Sequence, residues 1–203
     1  MTILLILLSY LTGAFPSAFI VGKSFFSIDI RQHGSGNAGA TNTFRVLGKV
    51  AGTIVLIIDV FKGWLVVNFV YLFSSININP ELLFEYQLLF GVFAVIGHLF
   101  PIYTRFRGGK GIATLLGLLI GLHSFSAFVS CMVFIIVLLA FRYVSLASIF
   151  SAIAFPIIIY FFSESSDVSL IIFSIFVPLL ALSTHHKNIR RLLRGQERKI
   201  KFK

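Results

Sequence analysis

The chain has 203 residues, of which 58% are hydrophobic and 12% charged, with a net charge of +10. Soluble domains carry about 25% charged residues, so a soluble globular class is excluded, and the basic residues point to membrane topology and anionic ligands rather than to nucleic acid. Strand-like alternation is absent, which excludes a barrel and leaves an all-α integral membrane protein.

Residues 2–22 form the first apolar segment. No basic region precedes it and no cleavage-type cluster of small residues follows it, so it is expected to be a retained helix. Further apolar segments cover 47–74, 82–100, 112–122, 125–141, 144–162 and 168–184. The stretch 112–141 is too long for one upright crossing, at about 45 Å for 1.5 Å per residue, and short for two. Charge decides between them. Two helices give seven crossings with the N-terminus outside and the C-terminus cytoplasmic. All of the 17 Lys and Arg except Lys62 then fall on one face, while Glu81, Glu85, Glu164 and Asp167 fall on the other. The positive-inside rule selects this arrangement, with a tight break at His123-Ser124. No linker, repeat or low-complexity stretch interrupts residues 1–203, which read as one domain.

Lys62 follows Asp59 by three residues, on one helix face. Two charges inside a membrane helix should pair or face a polar cavity. They are read either as a structural ion pair or as a strut beneath an active site. Cys131 lies in an apolar run and reads as a packing residue.

Three polar stretches fall on the basic face: GSGNAGATNTFR at 34–45, HLFPIYTRFRGGKG at 98–111 and HHKNIRRLLRGQERK at 185–199. The first holds Gly34, Gly36 and Gly39 in a G-x-G-x-x-G pattern. A dinucleotide fold would need a preceding strand and a ribose-binding acid, and neither is present. No Gly-Lys-Ser/Thr follows to make a P-loop. The glycines would still let backbone N–H groups face an anion. Ser35, Asn37, Thr41 and Asn42 add donors, and Arg45 can grip two phosphate oxygens. The second stretch repeats the chemistry, with Gly108, Gly109 and Gly111 around Lys110 and Arg105 and Arg107 before them. The third offers His185 and Asn188, one helical turn apart, and Glu197. His33, His123 and His186 read as surface or loop residues; His98 is left open. No cluster with metal-ligand spacing occurs and no nucleophile elbow, so neither metal nor cofactor is expected. The residues describe a membrane protein that binds phosphate groups at one face. An interfacial enzyme and an organophosphate transporter both fit that description.

Together with DVFKG at 59–63, these three stretches resemble the motifs of the bacterial acyl-phosphate-dependent glycerol-3-phosphate acyltransferases, the PlsY family. The resemblance runs over nearly the whole chain in order. Where many relatives have Lys before the paired glycines, this chain has Arg107. The resemblance implies an enzyme of the bacterial cytoplasmic membrane. It would move a fatty acyl group from acyl phosphate to the sn-1 hydroxyl of glycerol 3-phosphate, giving lysophosphatidic acid and phosphate. A separate phosphate acyltransferase would supply the donor. Ser35, Arg45, His185 and Asn188 would be needed for activity, and Gly108, Gly109, Lys110 and Gly111 would bind glycerol phosphate. The motif's glutamate falls on Glu197. The expected mechanism is direct attack by the glycerol-phosphate hydroxyl, with His185 or the substrate's own phosphate as base.

Overall fold

The computed structural model describes residues 2–72, 79–163 and 167–200. Glu164, assigned above to the outer face, lies outside the described residues. What is described is helical, with short 3-10 turns. The helices group into two compact units, Met1–Leu122 and His123–Lys203, each taken by itself below.

In the first unit, the expected helix over 2–22 is two helices, α1 (Thr2–Ala14) and α2 (Ser17–Phe26), bent by 43°. Pro16 is the cause, since its ring removes a donor and disfavours helical geometry at Phe15. A 3-10 turn at Ile30–Gln32 leads into loop one. The second half of that stretch, read as loop, is a helix, α3 (Ala40–Leu47). Gly48, at φ +88°, turns the chain into α4 (Lys49–Val67). The apolar run expected to reach 74 breaks at Asn68, which bonds back to the Trp64 carbonyl at 2.7 Å. A short α5 (Phe69–Leu72) follows. Next come α6 (Leu83–Leu99), a turn at Ile102–Thr104, and α7 (Ile112–Leu122).

Small residues let these helices approach closely. A β-carbon at Gly13 would strike Ala94 of α6, and one at Gly117 would strike the Val60 carbonyl of α4. Between lipid-solvated helices, such close backbone contact replaces the hydrophobic driving force that water would supply. Leu5, Val66, Phe69, Val70, Phe90 and Ala94 form a buried core between α1, α4, α5 and α6.

The second unit holds α8 (Ser124–Phe141), α9 (Val144–Phe162), α10 (Val168–Thr184) and α11 (His186–Leu193). The expected break at His123-Ser124 is present, and the His123 ring caps α8 by accepting from Ser126 N at 3.3 Å. Asp167 caps α10 through Ser169 N at 2.8 Å. Buried faces of α9 and α10 meet, with Phe155 and Phe173 edge to face at 6.4 Å. Residues 194–200 fold back, and Ile200 N donates to the Arg142 carbonyl at 2.8 Å.

Among the described residues, four helices are long and apolar enough to cross a membrane, counting α6 with its extension to Thr104. The number is six if the bent pairs α1–α2 and α10–α11 each make one span. α7 has only 11 residues.

Candidate functional site

Loop one is built around one side chain. Asn42 is 1% exposed. Its Oδ1 accepts from Ser35 N at 2.8 Å, and its Nδ2 donates to the carbonyls of Ile30 at 3.1 Å and His33 at 3.0 Å. Gly34 and Gly36 sit at φ +64° and +74°, a region costly for other residues. A β-carbon on Gly34 would run into the Asn42 amide. Asn42 was expected to offer its amide to a ligand; that amide instead pins the loop. The loop amides also differ from expectation. Ser35 N and Gly36 N are bonded internally, the latter to His33 O at 3.0 Å. The N–H groups that helix geometry leaves open are those at the start of α3, from Gly39 to Thr41. Thr41 and Arg45 stand one turn apart on the exposed face of α3, and the Ser35 hydroxyl is exposed too. Asn37 and Gly39 are half-buried.

Loop two is tied by Arg31 to the turn that leads into loop one. Its guanidinium grips Asp29 with Nε on Oδ1 at 3.0 Å and Nη2 on Oδ2 at 2.8 Å. Nη1 donates to the Thr104 carbonyl at 3.1 Å, and the group lies 4.7 Å over the Phe19 ring. The bond from Arg31 holds the Asp29 carboxyl below its ordinary range, outweighing burial. Thr104 Oγ1 in turn donates to the Arg107 carbonyl at 3.1 Å. Arg105 and Phe106 both take left-handed φ values, 55° and 59°. The bond from Phe106 N to Pro101 O at 2.9 Å helps to hold this strained turn.

Gly108 and Gly109 then lie directly on the end of α6. Gly109 N donates to the His98 carbonyl at 3.1 Å. A β-carbon at Gly108 would strike that carbonyl, and one at Gly109 would strike His98 Nε2. Their glycine identity therefore serves close approach to His98 as well as access to a ligand. Lys110 is half-buried, and Gly111, at φ +80°, opens α7.

Beneath loop two is a buried polar cluster. Asp59 Oδ1 accepts from Ser17 Oγ at 2.7 Å and pairs with Lys62 Nζ at 2.8 Å. Lys62 Nζ also donates to the Phe15 carbonyl at the α1–α2 break, at 3.3 Å. His98 Nδ1 lies 3.7 Å from Asp59 Oδ1 and 3.1 Å from Thr114 Oγ1. Lys62 and His98 line a cleft with Pro16, Ser17, Ala38, Arg107, Gly108 and Gly109. The ion pair read from the sequence is thus a strut under the loop-two glycines. His98 and Arg31 were the residues that motif reasoning undervalued. For His98, the signal was its place at the polar end of an apolar run, directly before the glycine loop.

In the second unit, His185 marks the 64° bend between α10 and α11 and is 3% exposed. Its Nδ1 lies 2.8 Å from the Ala181 carbonyl. A carbonyl can only accept, so Nδ1 carries the proton and Nε2 is the basic nitrogen of the neutral ring. Asn188 Nδ2 donates to Glu197 Oε1 at 2.6 Å, Ser145 Oγ to the same oxygen at 2.9 Å, and Arg191 Nε to Oε2 at 2.7 Å. Burial raises the Glu197 pKa, but these three donors outweigh it and leave the carboxyl below its usual value. Glu197, expected at the substrate, is instead a clamp that orients Asn188. His33 and His186 are exposed. Among the described residues, no three His, Cys, Asp or Glu side chains gather as metal ligands would.

The family model for glycerol-3-phosphate acyltransferase matches residues 3–195. The chain belongs to this family. The acyltransferases of Staphylococcus aureus strains Newman and USA300 are each 44% identical to it, over 100% of this chain and 99% of theirs. The crystal structure of PlsY in its glycerol 3-phosphate form, an integral membrane glycerol 3-phosphate acyltransferase, is also similar. It shows a TM-score of 0.86 and 32% identity over 98% of this chain and 96% of that one. Its lysophosphatidic acid form gives a TM-score of 0.83 and covers 98% and 95%. The protein is therefore a PlsY-family acyltransferase and a multi-pass membrane protein. This displaces the transporter reading.

Proposed function

We propose that this enzyme transfers a fatty acyl group from acyl phosphate to the sn-1 hydroxyl of glycerol 3-phosphate, releasing lysophosphatidic acid and phosphate. The observation that carries this reading is the tie from Arg31 to Thr104. It holds the turn that leads into loop one against loop two, as would suit a reaction that brings together two phosphate-bearing substrates.

Loop two, with Gly108, Gly109, Lys110 and Gly111, takes the phosphate of glycerol phosphate. The start of α3, with Ser35, Thr41 and Arg45, takes the phosphate of the donor. Acyl phosphate is a mixed anhydride with a good leaving group, so positioning and charge stabilisation are the enzyme's main tasks. The acceptor hydroxyl attacks the acyl carbon, the carbon–oxygen bond to phosphate breaks, and the proton passes to a base. His185 and the substrate phosphate are the two candidates for that base. Near-normal turnover by His185→Ala would exclude the histidine. Asn188 is held ready for the same reaction by Glu197.

The proposal extends to topology. Seven crossings, with α7 and α8 counted separately, leave the N-terminus outside and the basic C-terminus in the cytoplasm, in one domain of the bacterial cytoplasmic membrane. A phosphate acyltransferase in the cell would supply the donor. Purified protein in lipid, given glycerol 3-phosphate and palmitoyl phosphate, should release phosphate and lysophosphatidic acid in equal amounts. Folded wild type that forms neither would overturn the reading.

A further inference from the structure

Of the buried cluster of Ser17, Asp59, Lys62, His98 and Thr114, only His98 belongs to the three polar stretches, as the first residue of the second, and it lies against that stretch's glycines. Lys62 and His98 reach the wall of the cleft that Gly108 and Gly109 close. The His98 ring occupies the space beneath Gly109 where a β-carbon would point. The ring cannot turn freely there. Thr114 Oγ1 meets Nδ1 at 3.1 Å, and Asp59 Oδ1 lies 3.7 Å from the same nitrogen. Asp59 itself is fixed by Ser17 and by Lys62. An aspartate beside Nδ1 favours the proton on that nitrogen, so the ring presents Nε2 to the glycine turn. The Asp59–Lys62 pair is electrically neutral. It orients the ring without adding an anion where the cleft must accept one.

We propose that His98 is a positioning residue for acyl transfer: its ring, oriented by Thr114 and Asp59, sets the Gly108–Gly109 turn that receives the phosphate of glycerol 3-phosphate. The proposal rests on the acylation reading above. It assigns this role to a histidine outside the two glycine cradles and to a threonine that touches no cleft.

Thr114 gives the cleanest test, because it is fully buried and its hydroxyl meets the ring. Thr114→Val keeps the shape and removes the hydroxyl. Thr114→Ser keeps the hydroxyl. KM for glycerol 3-phosphate and KM for palmitoyl phosphate are measured for both, for His98→Phe and for wild type, with thermal unfolding as a folding check. Thr114→Val should raise KM for glycerol 3-phosphate about fivefold to tenfold, as expected for one lost hydrogen bond in a binding element. KM for palmitoyl phosphate should stay within about twofold, because one hydrogen bond is lost on one side only. His98→Phe should move the same constant further, and Thr114→Ser should restore it. A folded Thr114→Val enzyme with wild-type KM values overturns the proposal and leaves the acylation reading intact. So does a loss of kcat with both KM values unchanged, which is what a merely structural role would give. A wild type that turns over neither substrate overturns both.

Discussion

Asn188 and Glu197 are nine residues apart and share a hydrogen bond of 2.6 Å. Between them the chain leaves α11, turns at Gly195 with φ +66°, and returns so that the carboxylate faces the helix it has just left. The amide of Asn188 is thus oriented by a charge rather than by packing. Replacing Glu197 with alanine strands Arg191, Asn188 and Ser145 together. We expect a stability loss of about 1–3 kcal/mol, read as a lower unfolding temperature in detergent, and a fall in turnover.

The same carboxylate makes a pH prediction. Its folded-state pKa is lowered from the ordinary 4.5, so its contribution is complete above that value. It disappears as pH falls below 4.5 through the lower folded value. Wild type and Glu197→Gln should differ in unfolding temperature at neutral pH and converge in acid. A constant difference at every pH would show that the charge is not what matters.

Asn42 should behave as a staple. Asn42→Asp removes both donors and turns a carboxylate toward the carbonyls of Ile30 and His33. It should therefore lower thermal stability more than Asn42→Ala does, by about 1 kcal/mol or more. A stable Asn42→Asp protein with weakened substrate binding alone would return Asn42 to the role of ligand donor.

Arg45 tests the donor cradle proposed above. Arg45→Ala should reduce kcat/KM about 100-fold or more, and Arg45→Lys should recover only part of it, since a point charge replaces a two-pronged contact. Unfolding temperatures should stay near wild type, because Arg45 is exposed on α3. Equal activity of the lysine and arginine forms would show that charge alone suffices.

Gly34 probes backbone geometry. Gly34→Ala adds a β-carbon at φ +64° and against the Asn42 amide. A cost of about 1–2 kcal/mol is expected from the conformation alone. Gly195 has φ +66° but open space around it, so Gly195→Ala should cost less in the same unfolding assay.

The helices from α6 to α10 could be read from the sequence nearly to the residue, because uninterrupted apolar runs end at polar or proline breaks. The three glycine-rich or basic stretches stood out for the opposite reason, being polar in an oily chain. What escaped was the division of labour within them. Asn42 and Thr41 are adjacent and chemically alike, yet one is buried as a staple and the other faces outward. Only the register of α3 separates them, and the glycines that announce the loop hide that helix. Glu197 looked like a site residue because nothing local reveals that Ser145, 52 residues earlier, shares its oxygen. Arg31 resembled any basic loop residue until its bond to Thr104 joined two stretches that the sequence holds 73 positions apart.

The carbonyl of Phe15 is turned aside by the proline break, and Lys62 is the cation that meets it. The kink in one helix and the charge in another are thus two halves of one fitting. A gene shuffle that straightened the first helix would take one acceptor from the ammonium group and leave it to Asp59 alone, and one that imported a neutral residue at 62 would leave an idle kink and an uncompensated aspartate. Chimaeras between relatives should therefore tolerate crossovers that move Pro16 and Lys62 as a pair, and fail where a junction separates them.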